Sequence, residues 1–261
     1  MPIRTDLQIK DGAIHVRDNE QTGPDARRKL PKLEGTDLLS SGEFGKTWQR
    51  EAGEHSNDAA LNALSESQKA ISKTFKSYSE IRERQNPEQT QASHLSSMAG
   101  DFDKALNGVA KRFDRANDAA KARLASLETE FRDSVKWREQ DSSELRAVLR
   151  GMAPADRQEI VGNAIESGDG QVLAAVLGAH PTLSGMNSDQ QASTRSRAMH
   201  KHRPDLRKLE LSLQKASERT RQSYLDLLEK SDAITAGDLR REFQKAAFEA
   251  AEARKKAAEN Y

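Results

Sequence analysis

Residues 93–138 read SHLSSMAGDFDKALNGVAKRFDRANDAAKARLASLETEFRDSVKWR, and this stretch decides the fold. Within it Phe102, Phe113, Leu124 and Val135 recur every eleven residues, and Met98, Val109, Ala120 and Phe131 form a second row at the same interval. Eleven residues make three helical turns at about 3.67 residues per turn, so both rows fall on one side of a single helix. At roughly 1.5 Å per residue such a helix runs on the order of 65 Å, and its apolar side needs partners along that length.

The segment before it supplies one. Leu61, Leu64, Gln68, Ile71, Phe75 and Tyr78 are spaced three, four, three, four and three residues apart, an a/d heptad seam with one polar position at Gln68. A buried polar residue at such a position can fix register, the other reading being that Gln68 sits near an exposed end. Asn86-Pro87 disfavours helical geometry at Asn86 and marks the turn, so residues 56–140 read as a long antiparallel helical hairpin.

After Trp137-Arg138 the pattern changes to short, punctuated helices. Asp141 with Glu144 reads as a cap, Gly151 as a stop, and Pro154 as the opening of the next helix, which runs to Gly168. Asp169-Gly170 restarts the chain into Val172, Leu173, Val176 and Leu177, and Ser188 with Gln191 reads as a cap ahead of a helix to about Lys201. Residues 141–203 hold the densest aliphatic content and read as a small packed head. In 204–261 two more helices follow, one opened by Pro204 and one begun by Thr235 with Asp238, both expected to pack back on the hairpin.

Residues 1–55 differ from all of this. Ile3, Leu7, Ile9, Ile14 and Val16 alternate with polar residues around Asp11-Gly12, a β-hairpin signal, and the charged run with Gly23, Pro24 and Pro31 reads as an extended arm. Leu38, Leu39, Phe44 and Trp48 are candidate anchors for its far end. The two readings are a floppy terminus and an arm that folds against a neighbouring subunit.

The bulk composition agrees with seams rather than a thick core. Of the 261 residues 35% are hydrophobic, 5% aromatic and 32% charged, which fits helices needing about two or three apolar residues in seven. Forty-two Lys and Arg against forty-one Asp and Glu leave a net charge of +1, so global charge offers no nucleic-acid coat. The absence of cysteine excludes disulfides, thiolate zinc sites and cysteine catalysis. With no signal-peptide pattern at Met1–Asp6 and no long apolar run, the expectation is a soluble chain made in the cytoplasm.

Chemistry is sparse. The chain has no P-loop, Gly-x-Gly-x-x-Gly, Gly-x-Ser-x-Gly or His-Glu-x-x-His motif, so the reading is that it is not an enzyme and needs no cofactor or metal. His200-Lys201-His202 points its two rings in different directions at a helix end and reads as solvated. One local cluster stands out: Arg195, Arg197, Lys201, Arg203, Arg207 and Lys208 are candidates for contact with phosphates or an acidic partner. The helix following Gly168-Asp169-Gly170, placed where a recognition helix would lie, offers only Gln171 as a polar reader. Lipid binding has less support, because basic residues are interspersed with acids throughout.

Within 145–204, the runs Met152-Ala153-Pro154-Ala155-Asp156-Arg157-Gln158 and Ala174-Ala175-Val176-Leu177-Gly178-Ala179-His180-Pro181-Thr182-Leu183-Ser184-Gly185 resemble helical proteins encoded among tailed-phage and prophage genes. The resemblance covers about a quarter of the chain and carries no activity. It implies a phage context. The expectation is therefore an all-α, elongated hairpin and bundle with a short-helix head and a β-hairpin arm. Such a chain would act as a structural or assembly component of a virion, through homo-oligomer or other virion-protein contacts. The alternative is a nucleic-acid-binding or regulatory helical protein using the cluster near 195–208.

Overall fold

The computed structural model describes residues 7–10, 13–16, 28–40, 44–84, 86 and 88–259. Among these the protein is all-α. The helices are α1 (Asp37–Ser40), α2 (Phe44–Glu51), α3 (Ala59–Glu83), α4 (Gln91–Ser134), α5 (Ser142–Gly151), α6 (Pro154–Ser167), α7 (Gly170–Leu177), α8 (Ser188–His202), α9 (Pro204–Glu229), α10 (Ser231–Ile234) and α11 (Gly237–Glu259). The backbones of Leu7–Lys10 and Ala13–Val16 pair antiparallel. The turn at 11–12 and the flanks 1–6 and 17–27 lie outside the described residues, so the expected hairpin arm is not among the features the fold rests on.

The helices start where the sequence satisfies their free amides. Asp58 Oδ1 accepts from the backbone N–H of Ala60 at 2.9 Å and of Leu61 at 3.3 Å, opening α3. Thr90 Oγ1 accepts from Ser93 N at 3.2 Å at the head of α4. Two caps differ from the sequence reading. Asn187 and Gln190, one residue earlier than Ser188 and Gln191, form the capping box of α8, while Gln191 Nε2 donates to the carbonyls of Val176 and Ala179 at 2.8 Å each. Asp141 makes no side-chain cap, and its left-handed φ of 59° belongs to the turn before α5. The last long helix starts at Gly237, because Thr235 Oγ1 donates to the Ser231 carbonyl at 2.9 Å and closes the short α10 instead.

The chain divides into two compact units that are not contiguous in sequence: residues 1–42, 67–113 and 221–261 form one, and 43–66 and 114–220 the other. In the first, the later part of α3 packs on the earlier part of α4, with α1 and the end of α9 completing the core. Leu39, Ile71, Phe75, Phe102, Val109, Leu227 and Ile234 are buried together. His94 Nε2 donates to the Ile81 carbonyl at 3.2 Å across the turn between α3 and α4. Tyr78 meets Phe102 edge-on at 5.2 Å between ring centroids, and Phe113 stacks on Tyr224 at 4.7 Å.

The polar seam residue has a structural partner. Gln68 is buried, and its Nε2 donates to the Leu38 carbonyl at 3.0 Å; Ser223 Oγ donates to the same oxygen at 3.1 Å. At the other end of the strap 28–36, Arg28 N donates to Gln91 Oε1 at 2.9 Å and Gln91 Nε2 donates to the Arg28 carbonyl at 2.8 Å.

The second unit holds the short helices. Leu61, Leu64, Leu127, Phe131, Leu149, Ile165, Leu173, Met199, Leu206 and Leu213 share one core, with Trp48 against it. In α4 the row Met98, Val109, Ala120 and Phe131 is buried at every position. In the other row Phe102 and Val135 are buried and Phe113 and Leu124 half-buried. α7 starts against the end of α4 so closely that a Cβ on Gly170 would lie 2.2 Å from the Val135 carbonyl oxygen. Only glycine fits there.

Candidate functional site

The basic cluster lies in the second unit. α8 carries Arg195, Arg197 and Lys201, Arg203 ends it, and α9 carries Arg207 and Lys208. Arg195 Nε and Nη2 both donate to Glu128 Oε2 of α4, at 2.9 and 2.8 Å, and its Nη1 lies 2.6 Å from Glu210 Oε1 of α9. Arg207 donates to the other oxygen of Glu210. Glu210 is buried, so it is a shared counter-charge for two guanidinium groups.

The next cations are also paired. Arg203 forks onto Asp205 at 2.8 and 3.1 Å, and His55 Nε2 lies 3.3 Å from the same carboxylate. The Arg203 hydrogen bond leads in holding the Asp205 carboxyl far below the usual carboxylate range, with His55 and the Leu206 N–H adding to it. Lys201 Nζ lies 2.6 Å from Glu166 Oε2. Arg197 and Lys208 are exposed, with no ion pair among the described residues. The cluster is thus brought together in space, yet four of its six cations already have carboxylate partners. A phosphate would compete with those internal partners for most of the charge.

Arg197 opens onto a groove of about 730 Å³ between α6 and α8, where Glu159 and Asp189 add negative charge. Arg157 in the same groove donates to the carbonyls of Leu149 at 3.0 Å and Met152 at 3.1 Å, so it caps the end of α5. His202 Nε2 donates to the Ile165 carbonyl at 2.6 Å, which ties the ring to α6, while His200 is exposed. α7 follows a glycine with φ of 71° and an Asp169 cap, but Leu173, Ala174, Ala175 and Val176 are buried. No groove-reading face is presented there.

The four candidate anchors separate. Leu39 is buried in the core of the first unit with Leu38 half-buried beside it, Trp48 is buried in the second, and the Phe44 side chain lies outside the described residues. One polar residue of consequence escaped the sequence reading. Arg82 is 3% exposed, and its Nε has no hydrogen-bond partner. It stands four residues beyond Tyr78, so continuing the heptad seam by one step would have placed it inside.

Among the described residues, no three His, Asp or Glu side chains are grouped to hold a metal ion, and no helix is long and apolar enough to cross a membrane. No protein-family model, curated protein or solved structure matches the chain.

Proposed function

We propose that this chain is a non-enzymatic structural or assembly protein that works by presenting a helix to other subunits, as a homo-oligomer within a phage particle. The observation that carries this reading is the far part of α11. Leu239 and Phe243 pack against the first unit's core beside Leu95 and Met98, yet from Gln244 to Glu259 every residue is exposed. The a/d spacing does not stop there: Phe243, Ala246, Ala250, Ala253 and Ala257 continue it, so a packed seam runs on as an uncovered one. Phe248, off that row, is 65% exposed.

A second copy of the same helix fits this face. Small a/d residues let two helices approach closely, and in a parallel pair Glu249 at a g position would face Arg254 at the e position of its neighbour. An alanine-rich helix of this length is marginal by itself in water, which makes a partner the economical source of its stability. The phage setting rests on the resemblance of residues 145–204. The paired state of the basic cluster favours this reading over the nucleic-acid alternative.

Sedimentation velocity of the full chain between 1 and 100 μM (about the range where such weak pairs are measured) tests it. Self-association is expected, and Ala250→Glu with Ala253→Glu should abolish it while circular dichroism stays helical. A monomer throughout that range, together with absence of the chain from purified virions by mass spectrometry, would overturn the reading. DNA binding that weakens with added salt would move the balance to the alternative.

A further inference from the structure

We propose that the first unit contains a binding site for a small organic anion, an oxyanion head on a short apolar group, with Arg82 as its counter-charge. The site is a cavity of about 400 Å³, within the usual range for small-molecule pockets, walled by the strap, α3 and the start of α11. Arg82 lines it from α3. A guanidinium cannot give up its proton at neutral pH, so a buried one needs an anion, and Arg82 is 3% exposed with its Nε left without a hydrogen-bond partner.

The carboxylates lining the same cavity are committed elsewhere. Asp232 and Asp238 are held by Arg241, at 2.9 and 2.6 Å, and Glu242 is paired with Arg28. That leaves Lys29 and Lys32 of the strap beside Arg82 as surplus positive charge. Leu30, Leu33 and Leu239 supply the apolar wall. Burial pulls the Arg82 pKa below the usual arginine range, and the neighbouring Glu83 charge offsets this only in part. A carboxylate and a phosphate monoester share the required chemistry: a bidentate oxygen pair for the guanidinium and a chain for the leucines.

Calorimetric titration of the full chain with hexanoate, hexyl phosphate, inorganic phosphate and hexan-1-ol distinguishes the sources. At least one of the two amphiphilic anions is expected to bind, more tightly than inorganic phosphate, while the alcohol does not. Arg82→Met should weaken that binding by about tenfold or more, the loss of one desolvated charge pair. Thermal unfolding without ligand should show Arg82→Met at least as stable as the parent. No binding by either amphiphilic anion, equal binding by inorganic phosphate, or unchanged affinity in Arg82→Met would overturn the proposal. Should that variant fail to fold, a diazirine analogue of hexanoate on the parent chain decides: adducts at Leu30, Leu33 or Leu239 support the site, and adducts only elsewhere overturn it. The self-association of α11 is read by sedimentation and does not depend on this result.

Discussion

Glu210 concentrates the consequences of single side chains. It is buried between the half-buried Arg195 and Arg207, and removing it takes a carboxylate partner from both guanidinium groups. Glu210→Ala should destabilise the protein by about 3 kcal/mol in urea unfolding, whereas Glu166→Ala, on the exposed Lys201 pair, should leave the urea midpoint nearly unchanged. Asp205 sets a pH dependence. Its folded pKa is depressed by Arg203 first and by His55 and the Leu206 N–H, so its stabilisation is full above the unfolded carboxylate value and drains away as pH falls through the folded one. Urea midpoints measured from pH 6 down to about 3 should decline, and Asp205→Asn should flatten that decline.

Elements tell how legible the fold was. The seams of α3 and α4 were readable because a helix repeats its facing residues at fixed steps, and every member of the Met98 row is buried as the spacing requires. The bounds of α6 were readable from its punctuation, since Pro154 and Gly168 act on their own backbone. Capping was read one residue off at α8, because Asn187 and Ser188 are both good caps and only the path of the preceding loop selects between them. The candidate site was the least legible. Arg195 looks free in sequence because its partners Glu128 and Glu210 come from other helices, whereas Arg203 with Asp205 and Arg207 with Glu210 stand two and three residues apart and are local pairs that the charge pattern offers. Arg82 was hidden for the opposite reason, a charged residue whose burial follows from a seam that the apolar pattern alone does not extend.

The junction of α4 with α7 yields a sharper test at this scale. Gly170 faces the carbonyl oxygens of Val135 and Lys136, both backbone atoms that cannot rotate away. Gly170→Ala should cost about 2 kcal/mol or more in thermal or urea unfolding, as an overpacked position does. Gly100→Ala, where a Cβ meets nothing, should be neutral to stabilising by up to about 1 kcal/mol.

For the whole molecule, the near balance of cations and anions is an internal matter. A net charge of +1 arises from many local pairs, among them Arg123 with Asp58 at 2.8 Å and Arg195 with Glu128 at 2.8 Å. Such a surface steers neither polyanions nor polycations at long range, which agrees with the proposed association through helix packing.

The strap also has a bearing on the order in which the chain folds. Its anchors are far away in sequence: Gln91 for Arg28, and Ser223 and Asp226 for Leu38 and Thr36. The strap precedes α9 in the chain, so these contacts wait for α9 to be made, whereas those between α3 and α4 need a shorter loop to close. Closure over so long a span is expected to follow the rate-limiting barrier. Leu39→Ala, in α1 where the strap is anchored, should then accelerate unfolding in a chevron experiment and leave the refolding limb nearly unchanged. The strap is made before the helices that secure it, and its wall of the Arg82 cavity is completed only when the start of α11 is in place.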